Sequence, residues 1–497
     1  MWEGVDYLFI DEVSMLGCRF LCQISEALTD AKGLTTAFGG VNIIFAGDFA
    51  QLAPVGDDRL YAHLSAKTIS RSGTKNGQRI IFGKLLWYSV KTVVIMNQIH
   101  RQTGPENNEF VQLLSRLREG RCNSADFQLL KTRIITNTNE NLNSPKWKNA
   151  PLIVTDNANK DVLNNKAALA FAADTGKELH WYYASDRKSR NEITDVALLT
   201  KLQKLHSGQT RQRLGKIPLV LGMPVMITQN FDVGAGIVNG SKGFVKKIRY
   251  YIDRDGNRHL TSCIVHVEDT SDDPLPHLAP HDVPVLSDTV DLHFTHPFSK
   301  KSCTIRRTQV PIVPAFVMTA HKAQGQSLVN VIVDLTTCTG TESPYVMISR
   351  VTSLSGLLIL RNFPMSKICC RQSQDTRTET HRIHILDLKT RMEHGTANES
   401  ADAQRYLMDN SYSSSENDGN NEDNRALTDT REDHVNLLQR LQGAATRATK
   451  QGNSFFWTLL LNRLTVYPYL PIPAHTRIPK RKLERSHDHN TPKRPRT

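Results

Sequence analysis

Apolar and polar positions along the first half of the chain follow the two periods that separate helices from strands. Tyr7-Leu8-Phe9-Ile10 is a continuous apolar run that stops at Asp11-Glu12, the pattern of a buried parallel strand whose carboxyl end opens on a ligand crevice. Leu16, Phe20, Ile24 and Leu28 then recur at four-residue spacing and predict a helix with one apolar stripe. Phe38-Gly39-Gly40 turns the chain into a second strand, Val41 to Ala46, which runs into another acid, Asp48. Thr92 to Met96 reads as a further short strand, and a helix from Asn108 to Glu119 is closed by Gly120. Leu152 to Thr155, with the helical stretch after it, opens a second α/β unit near residue 150.

From Pro218 the texture changes. Short β-rich runs at Pro224–Thr228, Gly243–Ile252 and Thr261–Val267, separated by Asn239-Gly240 and Asp255-Gly256, predict a small antiparallel barrel inserted into the second unit. Residues 270–288 are rich in Pro, Asp and His and read as loop, and the α/β pattern resumes from Thr304 to about Phe363. Residues 411–424 are low-complexity and predicted to be disordered, while Val435 to Ala448 has the pattern of a lone amphipathic helix. The boundaries that result are 1–149, 150–217 with 300–370, the insert at 218–299, and a mostly disordered tail at 371–497.

Charge narrows the class of partner. The 497 residues carry a net charge of +13, which favours a polyanion such as nucleic acid. Residues 475–497 hold eight Lys/Arg against two acids, and residues 398–434 hold ten acids against three bases, so the body ahead of residue 398 is itself basic. Lys480-Arg481-Lys482 and Lys493-Arg494-Pro495-Arg496 have the spacing of a bipartite nuclear-import signal, or of a solvated basic tail. The longest apolar run, Phe455 to Leu461, is too short to span a bilayer, so no membrane partner is expected. Eight cysteines form no regular framework and the first residues no signal peptide, which implies a reducing intracellular compartment. Cys18 and Cys22 share a helix face but lack a second ligand pair for zinc, and His487-Asp488-His489 lies in the tail.

The acidic pair carries the first chemistry. Asp11 is placed to hold Mg²⁺ through oxygen and Glu12 to polarise an attacking water. An acidic dipeptide after a strand is by itself equally an ordinary surface pair. A strand, helix and strand that deliver Asp11, Glu12 and Gln51 to one edge form a site geometry, in which Gln51 can bond a terminal phosphate or the attacking water without adding charge. The stretch Val317 to Ser327 could contact a phosphate through the Gly325 N–H and a DNA backbone through Lys322; taken alone it reads as a surface turn. Arg350, ending the run Tyr345 to Ser349, suits an arginine finger or a structural ion pair. A phosphate cradle requires GxxxxGK[ST], and Gly176-Lys177-Glu178 and Gly215-Lys216-Ile217 both lack the first glycine and the hydroxyl. Four missing charge-assisted hydrogen bonds forfeit at least ~6 kcal/mol, about four decades of affinity, so unaided ATP binding is not expected.

The segments FIDEVSML, GGVNIIFAGDFAQLAPVG, IHRQ, GMPVMITQNFDVGAGIVNGSKGFV, AHKAQGQSL and YVMISRVTSLSGLLIL occur in an order that resembles the Pif/RecD-like superfamily-one DNA helicases, including the copies carried by Helitron-type transposons. The resemblance runs from residue 2 to about 363 and implies two RecA-like parallel-sheet domains with the barrel inserted in the second. It implies ATP and Mg²⁺ as cofactors, single-stranded and duplex DNA as partners, and 5′-to-3′ unwinding in repair, recombination and telomere maintenance. Residue by residue, it makes Asp11 the magnesium acid, Glu12 the catalytic base, Gln51 the γ-phosphate sensor, and Arg101 and Arg350 phosphate-contacting arginines. Gly325, with Gln324 beside it, would couple nucleotide to DNA, and His321 and Lys322 would lie near the single strand. Ala53 stands where the family usually has proline. The strand leading to the phosphate loop would lie between Val41–Ala46 and Thr92–Met96, so the first domain is expected to be incomplete, as in a truncated or decayed copy, and inactive alone. The alternatives are a single-strand-binding module that works without hydrolysis and a chain complemented in trans.

Overall fold

A computed structural model describes residues 2–413 apart from 64–72, 143, 149, 190, 272–276 and 296–301. The first unit is a parallel pair, β1 (Tyr7–Ile10) beside β2 (Asn42–Phe45), joined by the crossover helix α1 (Cys18–Lys32). Leu8, Ile10, Ile43 and Phe45 point to one face, where they meet α1 and Trp87 of α2 (Lys75–Tyr88). Tyr7, Phe9 and Ile44 stand exposed on the other. Leu21, Cys22, Ser25 and Leu28 are the buried face of α1, whereas Phe20 is 56% exposed, so the apolar stripe is rotated from the four-residue pattern. Burial pushes the Cys18 and Cys22 thiols up to about 12, and no metal-ligand cluster occurs among the described residues.

Thr92 to Met96 is not a strand. The Val93 and Ile95 N–H groups donate to Thr390 Oγ1 and Asp387 Oδ1, side chains that occupy the edge where a strand partner would pair. After it come α3 (Asn108–Arg118) and α4 (Ser124–Lys131), the second opened by a capping box between Asn123 and Asp126.

The second unit holds a four-stranded parallel sheet. It contains β3 (Leu152–Val154), followed by the 19-residue helix α5 (Asn157–Thr175). Between these and the rest of the sheet lie the strands of the insert: β4 (His180–Tyr183), β5 (Ser185–Lys188), β6 (Asn191–Glu192), β7 (Lys216–Leu219), β8 (Pro224–Ile227), β9 (Lys242–Ile252), β10 (Arg258–His266), β11 (Asp282–Leu286), β12 (Asp288–Thr295), β13 (Ser302–Gln309) and β14 (Ile312–Pro314). The parallel sheet is completed by β15 (Val317–Thr319), β16 (Val331–Val333) and β17 (Leu357–Ile359), in the order β15-β3-β16-β17.

The insert is larger and less regular than the sequence pattern predicted. Its main sheet runs β14-β8-β9-β10-β4-β7 with β11 also on β10, and the β4–β10 pairing is parallel, so the barrel-like sheet is mixed. A second sheet, β12-β13-β5-β6, flanks it, and Asp282–Leu286 forms a strand inside the stretch read as loop. Residues 302–314 likewise belong to these sheets, and the parallel pattern resumes only at Val317.

Helices α9 (Gln374–His394) and α10 (Ala397–Ser413) occupy the start of the stretch that composition assigned to a disordered tail. Glu379 of α9 accepts from Trp87 Nε1 at 2.7 Å, and Thr376 bonds Arg59, which fixes this helix to the first unit. Residues 411–413 of the low-complexity segment end α10 rather than being disordered, and the rest of that segment, the Val435–Ala448 helix, the His487-Asp488-His489 pair and the basic clusters lie outside the described residues.

Candidate functional site

Asp11 and Glu12 follow directly from β1. Ala46 N donates to Ile10 O and Val13 N to Ala46 O, so the ladder continues past both strands and fixes the turn between them. Glu12 takes the left-handed conformation (φ 52°), a strain of about 1–3 kcal/mol that is characteristic of functional turns. Gly47 (φ 143°) lies so close that a Cβ would meet Val13 N at 2.8 Å, which explains the glycine before Asp48. Asp11 stays exposed, with Oδ1 accepting from Glu12 N at 2.7 Å, and its other oxygen is left for a cation.

Gln324 reaches this turn from the second unit. It sits at the end of α7 (Ala320–Ala323), a short helix that lies in the chain between α6 (Val196–Gln203) and α8 (Glu342–Ile348), and its Nε2 donates to Glu12 Oε2 at 2.6 Å while its Oε1 accepts from Leu52 N at 3.3 Å. Gly325 (φ 80°) is next, and a Cβ there would meet Glu12 Oε1 at 3.3 Å, so a side chain would crowd the carboxylate. Gln51, one residue before Leu52, has Oε1 buried with no hydrogen-bond partner among the described residues. An orphaned acceptor of this kind suits a bound water or a protonated ligand oxygen.

Two arginines complete the cleft. Arg101 donates to Ser327 Oγ at 2.8 Å and to Ser349 O at 3.2 Å. Arg350, only 2% exposed, bonds Val346 O and Ser349 Oγ, both at 2.8 Å. Burial first, and then the neighbouring Arg101, depress the Arg350 guanidinium to about 10. Neither arginine forms a salt bridge among the described residues; a phosphate group would supply the missing counter-charge. Asp11, Gln51, Arg101 and Arg350 thus fit a magnesium–triphosphate group in donor type and charge.

Lys322 reaches the insert, with His321 beside it in the chain. Lys322 Nζ donates to Asn239 Oδ1 at 2.8 Å, and burial, followed by repulsion from Lys160, lowers its pKa; burial also lowers that of His321. Lys242 Nζ on β9 reaches Gln326 Oε1 at 3.0 Å, so the insert's edge and the 320–326 segment form one cationic surface. Sequence reading missed Arg118 of α3, which grips Asp48 through two bonds of 3.0 and 2.9 Å. Its partner is 70 residues away, and within its own helix Arg118 looks like a solvated charge. Gln102, the last residue of the IHRQ segment, was given no role by sequence reading, yet its Nε2 donates to Ser349 O and Val351 O.

A profile of the PIF1-like helicase family matches residues 1–128. The ATP-dependent DNA helicase PIF1 of Xenopus laevis is 26% identical over 360 residues, covering 72% of this chain and 47% of that protein. The chain therefore spans about half the length, or less, of the ATP-dependent DNA helicases PIF1 and PIF7 that it matches. Among solved structures, the Pif1 helicase from Candida albicans superposes with a TM-score of 0.53 at 20% identity, covering 77% of both chains. The Bacteroides Pif1 helicase in complex with ADP-AlF3 and ssDNA gives 0.54 at 20% identity, over 76% of this chain and 75% of that one. These two likenesses establish the fold.

Proposed function

We propose that the chain is a member of the PIF1-like helicase family and carries the metal, water-activating and DNA-coupling parts of an ATP-dependent DNA helicase with two RecA-like domains. The observation that supports this best is the Gln324 bridge, because one side chain at the candidate DNA surface holds the carboxylate proposed as the catalytic base. A movement of the 320–326 segment on a single strand would shift Glu12 directly.

When bound, magnesium–ATP supplies the reactive phosphoryl group and the charge that positions it. Asp11 presents its free oxygen to the cation, and Glu12 holds a water through the oxygen that Gln324 leaves available. Gln51 Oε1 accepts from that water, which aligns it. Arg101, bonded to Ser327 and Ser349 of the second unit, and Arg350 of that unit would supply positive charge to the phosphates. His321 and Lys322, with Lys242, track the phosphodiester backbone of a single strand.

The 497 residues contain no GxxxxGK[ST], so nucleotide turnover requires that loop from a segment joined ahead of Met1 or from another chain. Without it the chain acts as a single-strand-binding module, a second reading favoured by the same missing motif. Strand movement in the 5′-to-3′ sense, roles in repair, recombination and telomere maintenance, and nuclear import through the two basic clusters complete the proposal.

The test is DNA-stimulated ATP hydrolysis by the 497-residue chain, alone and extended or mixed with a polypeptide bearing the loop. Turnover is expected only with the loop and is expected to vanish in Glu12→Gln. Turnover by the chain alone that Glu12→Gln abolishes would overturn the requirement for a loop.

A further inference from the structure

The insert's main sheet has a second surface whose chemistry the cleft does not use. In β4, Tyr182 is buried while Trp181 and Tyr183 alternate to the other face. The register places Arg258 beside Tyr182 and His259 opposite Tyr251, so His259 and Tyr251 share the outer face with Trp181 and Tyr183. Tyr251 is 51% exposed and its ring stacks on His259 at 5.1 Å. Lys216 of β7 lies opposite Tyr183 and holds its ammonium over the Trp181 ring at 4.9 Å, and Arg249 follows Tyr251 two residues back on the same face of β9. A shallow pocket lined by Trp181, Tyr183 and Asn257 opens on this surface. Trp181, Tyr183 and Tyr251, with the largely buried His259 beneath Tyr251, lie across three adjacent strands edged by two cations and form a platform.

We propose that this platform stacks bases of single-stranded DNA, as a second contact remote from the cleft. Every base presents a π-face, so such rings bind without reading sequence, while Lys216 and Arg249 pair with the flanking phosphates. Three acids adjoin these cations: Asp253, which accepts from His259 and the backbone of its own turn, the exposed Asp255, and Glu178, which pairs with His180. β9 connects the two contacts: Lys242 at its start bonds Gln326, and Tyr251 of the platform lies near its other end, nine residues on and roughly 30 Å away. At ~3.4 Å per nucleotide a stacked strand needs about ten nucleotides to bridge them.

The proposal rests on the reading of the chain as a single-strand binder, and its test separates the two. The affinity of the full chain for oligo-dT of six to thirty nucleotides is expected to rise in two steps, the second near ten nucleotides. The double variant Tyr251→Ala/Arg249→Ala is expected to lose the second step, at least about fivefold in affinity, with short oligomers bound as before and an unchanged unfolding midpoint. Tyr251→Phe, which keeps the ring, retains it. A double variant with the wild-type length profile would overturn the platform, and the surface would then serve a different partner. Lys322→Ala addresses the other contact: unchanged binding of the six-nucleotide oligomer in that variant would overturn the cleft-side contact while leaving the second step, and hence the platform, intact.

Discussion

Gln324 Nε2 lies 2.6 Å from Glu12 Oε2, across 312 residues of sequence and between two separate parallel sheets. A hydrogen bond to an ionised group contributes about 1.5–3 kcal/mol, and this one is partly exposed, so Gln324→Ala is expected to cost about 1.5 kcal/mol in chemical denaturation. Gln324→Glu puts two carboxylates at that distance and is expected to cost more than the alanine variant at neutral pH, with the excess disappearing as the medium becomes acidic enough to protonate one of them.

Arg350 tests whether the cleft is built for a polyanion. It is buried beside Arg101 and has no salt bridge among the described residues. Arg350→Met is expected to change the unfolding free energy by less than about 1 kcal/mol without ligand. Added pyrophosphate is expected to raise the wild-type unfolding midpoint and to leave the variant's unmoved. Equal shifts in the two proteins would exclude Arg350 from anion binding.

The insert depends on a buried ion pair. Arg307, fully buried, makes bonds of 2.7 and 2.6 Å to Asp186, which is itself 3% exposed at the side chain. Removing one partner strands the other charge, so Asp186→Ala is expected to cost about 3–5 kcal/mol, whereas the double replacement Asp186→Leu/Arg307→Met recovers most of it. Urea denaturation of the three proteins measures the coupling.

The β9–β10 turn carries a pH dependence. Burial alone would raise the Asp253 carboxyl, but bonds from His259, Asn257 and the Asp255 N–H outweigh it and hold the group at about 2. A folded pKa below the unfolded value of about 3.9 gives stability that is full above that value and is lost as pH falls through about 2. The wild type is therefore expected to exceed Asp253→Asn in thermal midpoint near pH 6, with the gap closing toward pH 2. A gap that stays constant would assign the turn's stability to shape alone.

Local signals made part of this molecule legible. The apolar run into Asp11-Glu12, the Phe38-Gly39-Gly40 turn and the turns at Gly240 and Gly256 are encoded by neighbours in sequence, and the structure has them. Thr92–Met96 has strand composition but no ladder, because a strand is a property of a pair and here the Asp387 and Thr390 side chains take its N–H groups. α9 was missed because its mean hydropathy is low and its buried positions include Glu379 and Asp387, acids made acceptable by Trp87, Arg382 and Arg391. The Asp48–Arg118 and Glu12–Gln324 pairings are long-range and charged or polar, which no periodicity encodes.

Salt-dependent binding of single-stranded DNA by the full chain tests the central claim most directly. The account predicts an affinity for thirty-nucleotide oligo-dT that falls with salt at a logarithmic slope of about −0.7 per phosphate contacted, and a slope shallower by about 0.7 in Lys322→Ala. No binding, or binding indifferent to salt, would contradict it.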